Sequence, residues 1–131
     1  LAEKAPSTLG ELVKALKEIP EYAASSRLGS GPEIILGSEE RRAGKIFVDM
    51  TGGTEGAKEV YERLSAAGVG TVVAMHLSEE HRKEAEKHHV NVVIAGHMAS
   101  DALGMNLFLD HLEERGVTVQ TCSGLHRVRR R

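Results

Sequence analysis

Three apolar runs, Lys45–Met50, Gly70–His76 and Val90–Gly96, constrain this 131-residue chain more than any other feature. Each leads into a turn and then into residues at helical spacing. After the first run, Ala57, Val60, Tyr61, Leu64 and Ala67 mark one helix face, and Gly68 ends the helix. After the second, Ser78 is placed to cap a helix that carries Glu79 and Glu80 in its first turn, where carboxylates suit the helix dipole. After the third, Ala102, Met105, Leu109 and Leu112 form a stripe that reads as core-facing, and Gly116 stops it. Strands alternating with helices imply right-handed βαβ crossovers and a parallel sheet. Strands that are apolar nearly throughout agree, because both of their faces are covered. The expected fold is α/β: a mainly parallel sheet of about three core strands with flanking helices. Val117–Gln120 and Leu125–Val128 are expected as two short end strands.

Ahead of this core, Thr8-Leu9-Gly10-Glu11 has the spacing of a capping box. Leu9, Leu12, Val13, Leu16 and Ile19 follow at helical spacing, and Pro20 limits that helix. Residues 23–32 read as a loop or linker, Glu33–Gly37 as a short strand, and 38–44 as a charged turn. The organisation is one α/β domain over 1–131: a leading helix in 1–22, a loop-rich segment in 23–44 and the core in 45–131. The chain begins with Leu and opens directly into a helix signal, so it reads as a piece of a longer protein.

Composition narrows the function classes. With 40% hydrophobic and 27% charged residues, the chain has the apolar content of a folded domain. A net charge of -2 gives no reason to expect nucleic acid or an acidic membrane as partner. The only basic run, Arg127-Val128-Arg129-Arg130-Arg131, reads as a solvated terminus. A single cysteine, Cys122, excludes an intramolecular disulfide and a cysteine-rich zinc site, and fits a reducing, cytoplasmic compartment. No apolar run approaches the roughly 20 residues that span a bilayer, and no signal peptide is recognisable.

In open α/β sheets ligands bind beyond the carboxyl ends of the strands. Three features fall there: Thr51-Gly52-Gly53-Thr54-Glu55-Gly56, His76, and His97 to Asp101. His97 and Asp101 stand four apart, so a helix begun by His97 places them on one face. Imidazole nitrogen with carboxylate oxygen suits a borderline divalent cation such as zinc or manganese, given further ligands. Equally, Asp101 fits a first-turn carboxylate and His97 an ordinary loop residue. The glycine turn, with Thr51, Gly52, Gly53 and Thr54, is a candidate anion cradle built on backbone N–H groups. It matches neither G-x-G-x-x-G nor the P-loop, and a tight turn needing positive φ is the simpler account. Of the seven histidines, His76 is the one placed to act as ligand or proton donor. His81 and His88 share a helix face around Ala85. Cys122-Ser123-Gly124, with His126 close in sequence, lacks the context of a catalytic pair.

The stretch Gly96-His97-Met98-Ala99-Ser100-Asp101-Ala102-Leu103-Gly104-Met105 resembles the carboxy-terminal part of the Nif-three-like family, also labelled type-two GTP cyclohydrolase-like. Asp49-Met50-Thr51-Gly52-Gly53-Thr54-Glu55-Gly56 supports the resemblance, which runs from about residue 45 to 128. It implies part of a larger α/β fold with two divalent metal ions bound close together, zinc or manganese, with iron a third candidate. The resemblance implies that one ligand group, a histidine pair and an aspartate, comes from the amino-terminal half. The other is a histidine and an acidic residue four apart near the carboxyl end, which His97 and Asp101 match. Asp101 departs from the glutamate more usual in the family, and His76 stands where many members carry an acidic residue. No His-His-Pro motif occurs, since Val90 follows His88-His89. The function expected from these features is metal-dependent hydrolysis of a nucleotide-like or phosphorylated small molecule, with the metal site only partly present and the intact protein a homo-oligomer. The alternative is a metal-binding regulatory or interaction protein without turnover.

Overall fold

The computed structural model describes residues 5–53 and 55–130. Its elements in chain order are α1 (Leu9–Lys17), α2 (Pro20–Arg27), β1 (Glu33–Leu36), β2 (Lys45–Asp49), α3 (Val60–Ala66), β3 (Val69–Ala74), α4 (Glu79–Lys87), β4 (Asn91–Ile94) and α5 (His97–Glu114). The sheet order is β1-β4-β3-β2. β2, β3 and β4 run parallel, as the alternation of strands and helices requires, with Val72 and Val73 opposite Val92 and Val93.

The sheet is mixed and four-stranded, which corrects the expectation of a mainly parallel, three-stranded core. β1 lies antiparallel on the outer edge of β4, pairing Glu33 with Ile94 and Ile34 with Val93. Its direction is free to differ because only residues 37–44 connect it to β2, with no crossover helix between them.

The two faces of the sheet carry separate cores. On one, Val73, Val93 and Ala95 pack with Leu9, Leu12 and Leu16 of α1, Tyr22 of α2 and Ala99 of α5. On the other, Val72, Ala74 and Val92 pack with Tyr61 of α3 and Ala85 of α4. Neighbouring residues of one strand thus serve opposite faces, the period-two geometry of a strand covered on both sides.

The amino-terminal cap forms as the spacing predicts. The Thr8 hydroxyl accepts the Glu11 N–H at 3.2 Å, and the Glu11 carboxylate reaches back to the Ser7 N–H at 2.7 Å. The return bond thus falls one residue before the position a strict capping box uses. Thr8→Ala is expected to cost about 1 kcal/mol, read as a shift of the urea midpoint at unchanged slope.

Three further expectations change. Pro20 does end α1, but it also opens α2, since proline at the first helical turn gives up no needed N–H; the linker read over 23–32 is helical to Arg27. The two end strands, Val117–Gln120 and Leu125–Val128, are not strands; that segment has no regular structure. The arginine run does not trail into solvent. Arg127 sits between Asp110 (2.5 Å) and Glu113 (2.7 Å), Arg129 pairs with Glu113 (3.1 Å), and Arg130 binds the buried Glu21 of α2 at 2.5 Å; Arg131 lies outside the described residues.

That strap accounts for the polar residues buried on α5. Its buried positions are Ala99, Asn106 and Asp110, while Met98 is 82% and Phe108 56% exposed, and Met105 and Leu107 are also exposed. Of the stripe expected to face the core, Ala102, Leu109 and Leu112 are half-buried and Met105 is exposed. The ion pairs and Asn106 take the side against α2 instead, where Asn106 donates to Glu21 at 2.7 Å and to the His126 carbonyl at 2.9 Å. No helix among the described residues is long and apolar enough to cross a membrane.

Candidate functional site

The sequence-derived candidates meet where they were expected, beyond the carboxyl ends of β2, β3 and β4. β4 ends at Ile94, and Gly96 takes φ +104°, a turn open to glycine that lets α5 begin at His97. The first turn of α5 is pinned from two sides. Ser100 returns both its N–H (3.1 Å) and its hydroxyl (2.6 Å) to the Gly96 carbonyl, and the Ser100 hydroxyl also shares a 2.9 Å hydrogen bond with the Tyr22 hydroxyl of α2.

Because the helix has begun by His97, His97 and Asp101 stand one turn apart on the same face. His97 Nε2 lies 3.2 Å from Asp101 Oδ2, and both side chains are about half exposed. His76, two residues beyond β3, stacks on His97 with ring centroids 5.3 Å apart and planes within 14°. Its Nδ1 is buried without a hydrogen-bond partner. The set is thus an imidazole and a carboxylate open to an incoming ligand, backed by a second imidazole. Among the described residues, no three His, Cys, Asp or Glu side chains are gathered to hold a metal ion. His97 and Asp101 are therefore a two-donor set that needs completion from elsewhere.

The glycine loop lies on the same rim. Asp49, the last residue of β2, accepts both the Thr51 N–H (3.1 Å) and the Thr51 hydroxyl (2.5 Å) on one oxygen. Gly53 takes φ +88° and Gly56 φ +70°, as a tight turn requires. Thr54 lies outside the described residues.

Two residues to which sequence reasoning gave no functional role of their own, Glu55 and Tyr61, join this rim together with His81. Glu55 binds the Ser78 N–H at the start of α4 and places Oε2 3.1 Å from His81 Nδ1. The Ser78 hydroxyl accepts the His81 N–H and lies 2.9 Å from His81 Nδ1. Burial works against the charge of Glu55, but the hydrogen bonds from Ser78 and the nearby imidazoles of His81 and His76 hold its carboxyl below the usual range. Tyr61 meets the His81 ring edge-on at 5.9 Å. Burial, followed by the charges of Asp49 and Glu55, pushes its phenol up to about 12. The available sequence signal was Ser78 followed three residues later by His81, a cap position that turns the imidazole back over the helix start. Glu55 gave none, because an acid inside a glycine loop has no periodicity to betray it.

The remaining histidines take part in local pairs or stand apart. His88 lies 3.5 Å from Glu84 and His111 3.3 Å from Glu114, each on its own helix or at its end. Cys122 is exposed.

No family model matches the sequence, and no curated protein matches it. Solved structures do. The chain is 33% identical to a NIF3 superfamily protein from Sphaerobacter thermophilus, with TM-score 0.74 over 90% of this chain and 42% of that one. It also matches a reduced HcgD from Methanocaldococcus jannaschii at 16% identity and TM-score 0.60, over 82% of this chain and 39% of that one. A Bacillus cereus protein related to NIF3 matches at 19% identity and TM-score 0.57, over 91% and 30%. The latter two show the fold alone, and the chain spans less than half the length of each of the three.

Proposed function

Because this chain belongs to the NIF3 superfamily and carries part of its fold, we propose that it supplies one side of a divalent-metal site in a metal-dependent hydrolase of a nucleotide-like or phosphorylated small molecule. The observation that carries this reading is the His97–Asp101 pair, 3.2 Å apart and half exposed at the start of a helix pinned by Tyr22 and Ser100. An imidazole nitrogen and a carboxylate oxygen on one face are the donor types that zinc or manganese takes. His97 and Asp101 would hold the metal, and His76, stacked behind His97, would orient it or move a proton. Bound metal would supply a Lewis acid and an activated water.

The test is metal content by elemental mass spectrometry after dialysis against trace zinc and manganese. Two protein donors bind weakly, so retention should be well below one ion per chain and should fall to background in His97→Ala. Equal metal in both proteins, at any level, would remove His97 from the site.

A second reading, a metal-binding regulatory or interaction protein without turnover that works as a homo-oligomer, is favoured by the uncovered apolar side of α5, with Met98, Met105 and Phe108 exposed. A specific partner retained by the chain and by His97→Ala, together with no turnover of a broad phosphoester and nucleotide panel by the metal-loaded intact protein, would favour it over hydrolysis.

A further inference from the structure

Beside the His97–Asp101 pair, a cavity of about 10 Å³ is lined by Asp49, Thr51, Glu55, Tyr61, His76 and His81. That is room for about one water-sized group. Two of its walls are incomplete in the same sense. His81 is only 9% exposed and its Nε2 is buried without a partner, while its Nδ1 faces Glu55 and Ser78. With Nδ1–H directed to the Glu55 carboxylate, Nε2 is left as an acceptor. His76 Nδ1 is likewise buried without a partner. Buried polar atoms are nearly always hydrogen-bonded, so the two nitrogens call for a partner: His81 Nε2, held as an acceptor, calls for a donor, and His76 Nδ1 accepts from the same donor in its Nε2–H tautomer.

The charge of the space has one sign. Asp49 and Glu55 line it and no Lys or Arg does. The Tyr61 phenol is raised first by burial, and the two carboxylates add to this because both resist a further negative charge there. The Thr51 N–H and hydroxyl, which an anion would need, are already engaged by Asp49. An incoming phosphate would meet two carboxylates and displace an internal one.

We infer that this cavity takes a nitrogen hydrogen-bond donor, the ammonium or amino tip of a substrate, through His76 Nδ1, His81 Nε2 and the flanking carboxylates. The inference rests on reading the strand ends as a substrate site, and it places a nitrogen-bearing part of the substrate, not its phosphate, over β2 and β3. Glu55 is then one of the flanking carboxylates and also fixes the His81 ring so that Nε2 is the free acceptor.

The test follows the ring nitrogens of His76 and His81 by long-range ¹H–¹⁵N NMR near neutral pH, without added metal, so that its outcome is separate from that of the metal assay. Methylammonium chloride is titrated against sodium chloride at equal ionic strength, and sodium phosphate in a parallel series. Methylammonium should shift both rings saturably, sodium chloride and phosphate should not, and Glu55→Gln should raise the half-saturation point roughly fivefold, the loss of one charge-assisted contact. Shifts of these rings and of the Thr51–Gly53 amides by phosphate would overturn the inference. So would a methylammonium response no larger than that of sodium chloride, which would leave the cavity to solvent water.

Discussion

Replacing Gly70 with alanine is expected to cost about 3 kcal/mol and to lower the thermal midpoint by roughly 10 °C. Gly70 lies in β3 where the Ala43–Gly44 backbone crosses it. A Cβ built there would stand 2.8 Å from the Ala43 carbonyl oxygen and 3.2 Å from Gly44 Cα. Both neighbours are backbone, so no side chain can swing aside. The Ala43 carbonyl is itself held, because it accepts the buried Thr71 hydroxyl at 2.6 Å. Asn91 ties the third strand to the same point, donating to the Gly70 carbonyl at 2.9 Å. The crossing also coincides with the register shift between Lys45 and Ile46 in the pairing of β2 with β3. Moving Ala43 would therefore disturb a buried polar cluster shared by β3, β4 and the segment that leads into β2, and leaving it in place would force an overlap. Circular dichroism melts of the two proteins decide it. A midpoint within about 2 °C of the parent would mean that the 42–44 segment shifts at little cost.

How much of this was legible in the sequence follows from which interactions are local. The βαβ core was readable because its signals lie within single elements: apolar runs at β3 and β4, the Ser78 cap, and the Gly68 and Gly116 stops. The direction of β1 was not. Glu33–Leu36 has the composition of a strand in either orientation, and its antiparallel pairing with β4 depends on which edge of the finished sheet is free. α5 misled for a different reason. Its apolar residues lie nearly all round, so periodicity alone cannot say which side is buried. The choice is made by Glu21 and Arg130, 109 residues apart, which draw the polar Asn106 and Asp110 side inward. No window of sequence contains both partners.

The same division runs through the site. His97 and Asp101 were visible because four-residue spacing is a local property, and the structure places both on one face of α5. The contact between His76 and His97 needed only the adjacency of β3 and β4. Glu55 and His81 lie 26 residues apart and meet only when the loop after β2 folds over the start of α4.

The strap that draws the polar side of α5 inward should also set the acid limit of stability. Glu21 is buried and binds both Arg130 nitrogens, at 2.8 and 2.5 Å, and Asn106 at 2.7 Å. Burial alone would raise its carboxyl, but the hydrogen bonds from Arg130 and Asn106, its own backbone amide and the charge of Arg130 outweigh that and hold it below the ordinary value of 4.5. A depressed folded-state value means that the unfolded chain takes up the proton first. The contribution of Glu21 is therefore complete above about pH 4.5 and is lost as pH falls through its folded value. Asp110 and Glu113, held low chiefly by Arg127 and Arg129 respectively, act in the same direction. Glu21→Gln keeps the shape and an acceptor for Asn106 while removing the charge that Arg130 requires. At neutral pH it should cost about 3 kcal/mol, the lower end of the range for a buried pair that loses one partner. The difference from the parent should shrink as pH is lowered from 5 towards 3, because the parent then loses the same charge by protonation. Urea titrations at a series of pH values measure both quantities. A Gln variant as stable as the parent at neutral pH would show that the arginine strap follows the packing of α5 against α2 and does not determine it; a difference that stays constant into acid would mean that Glu21 acts through its shape and not its charge.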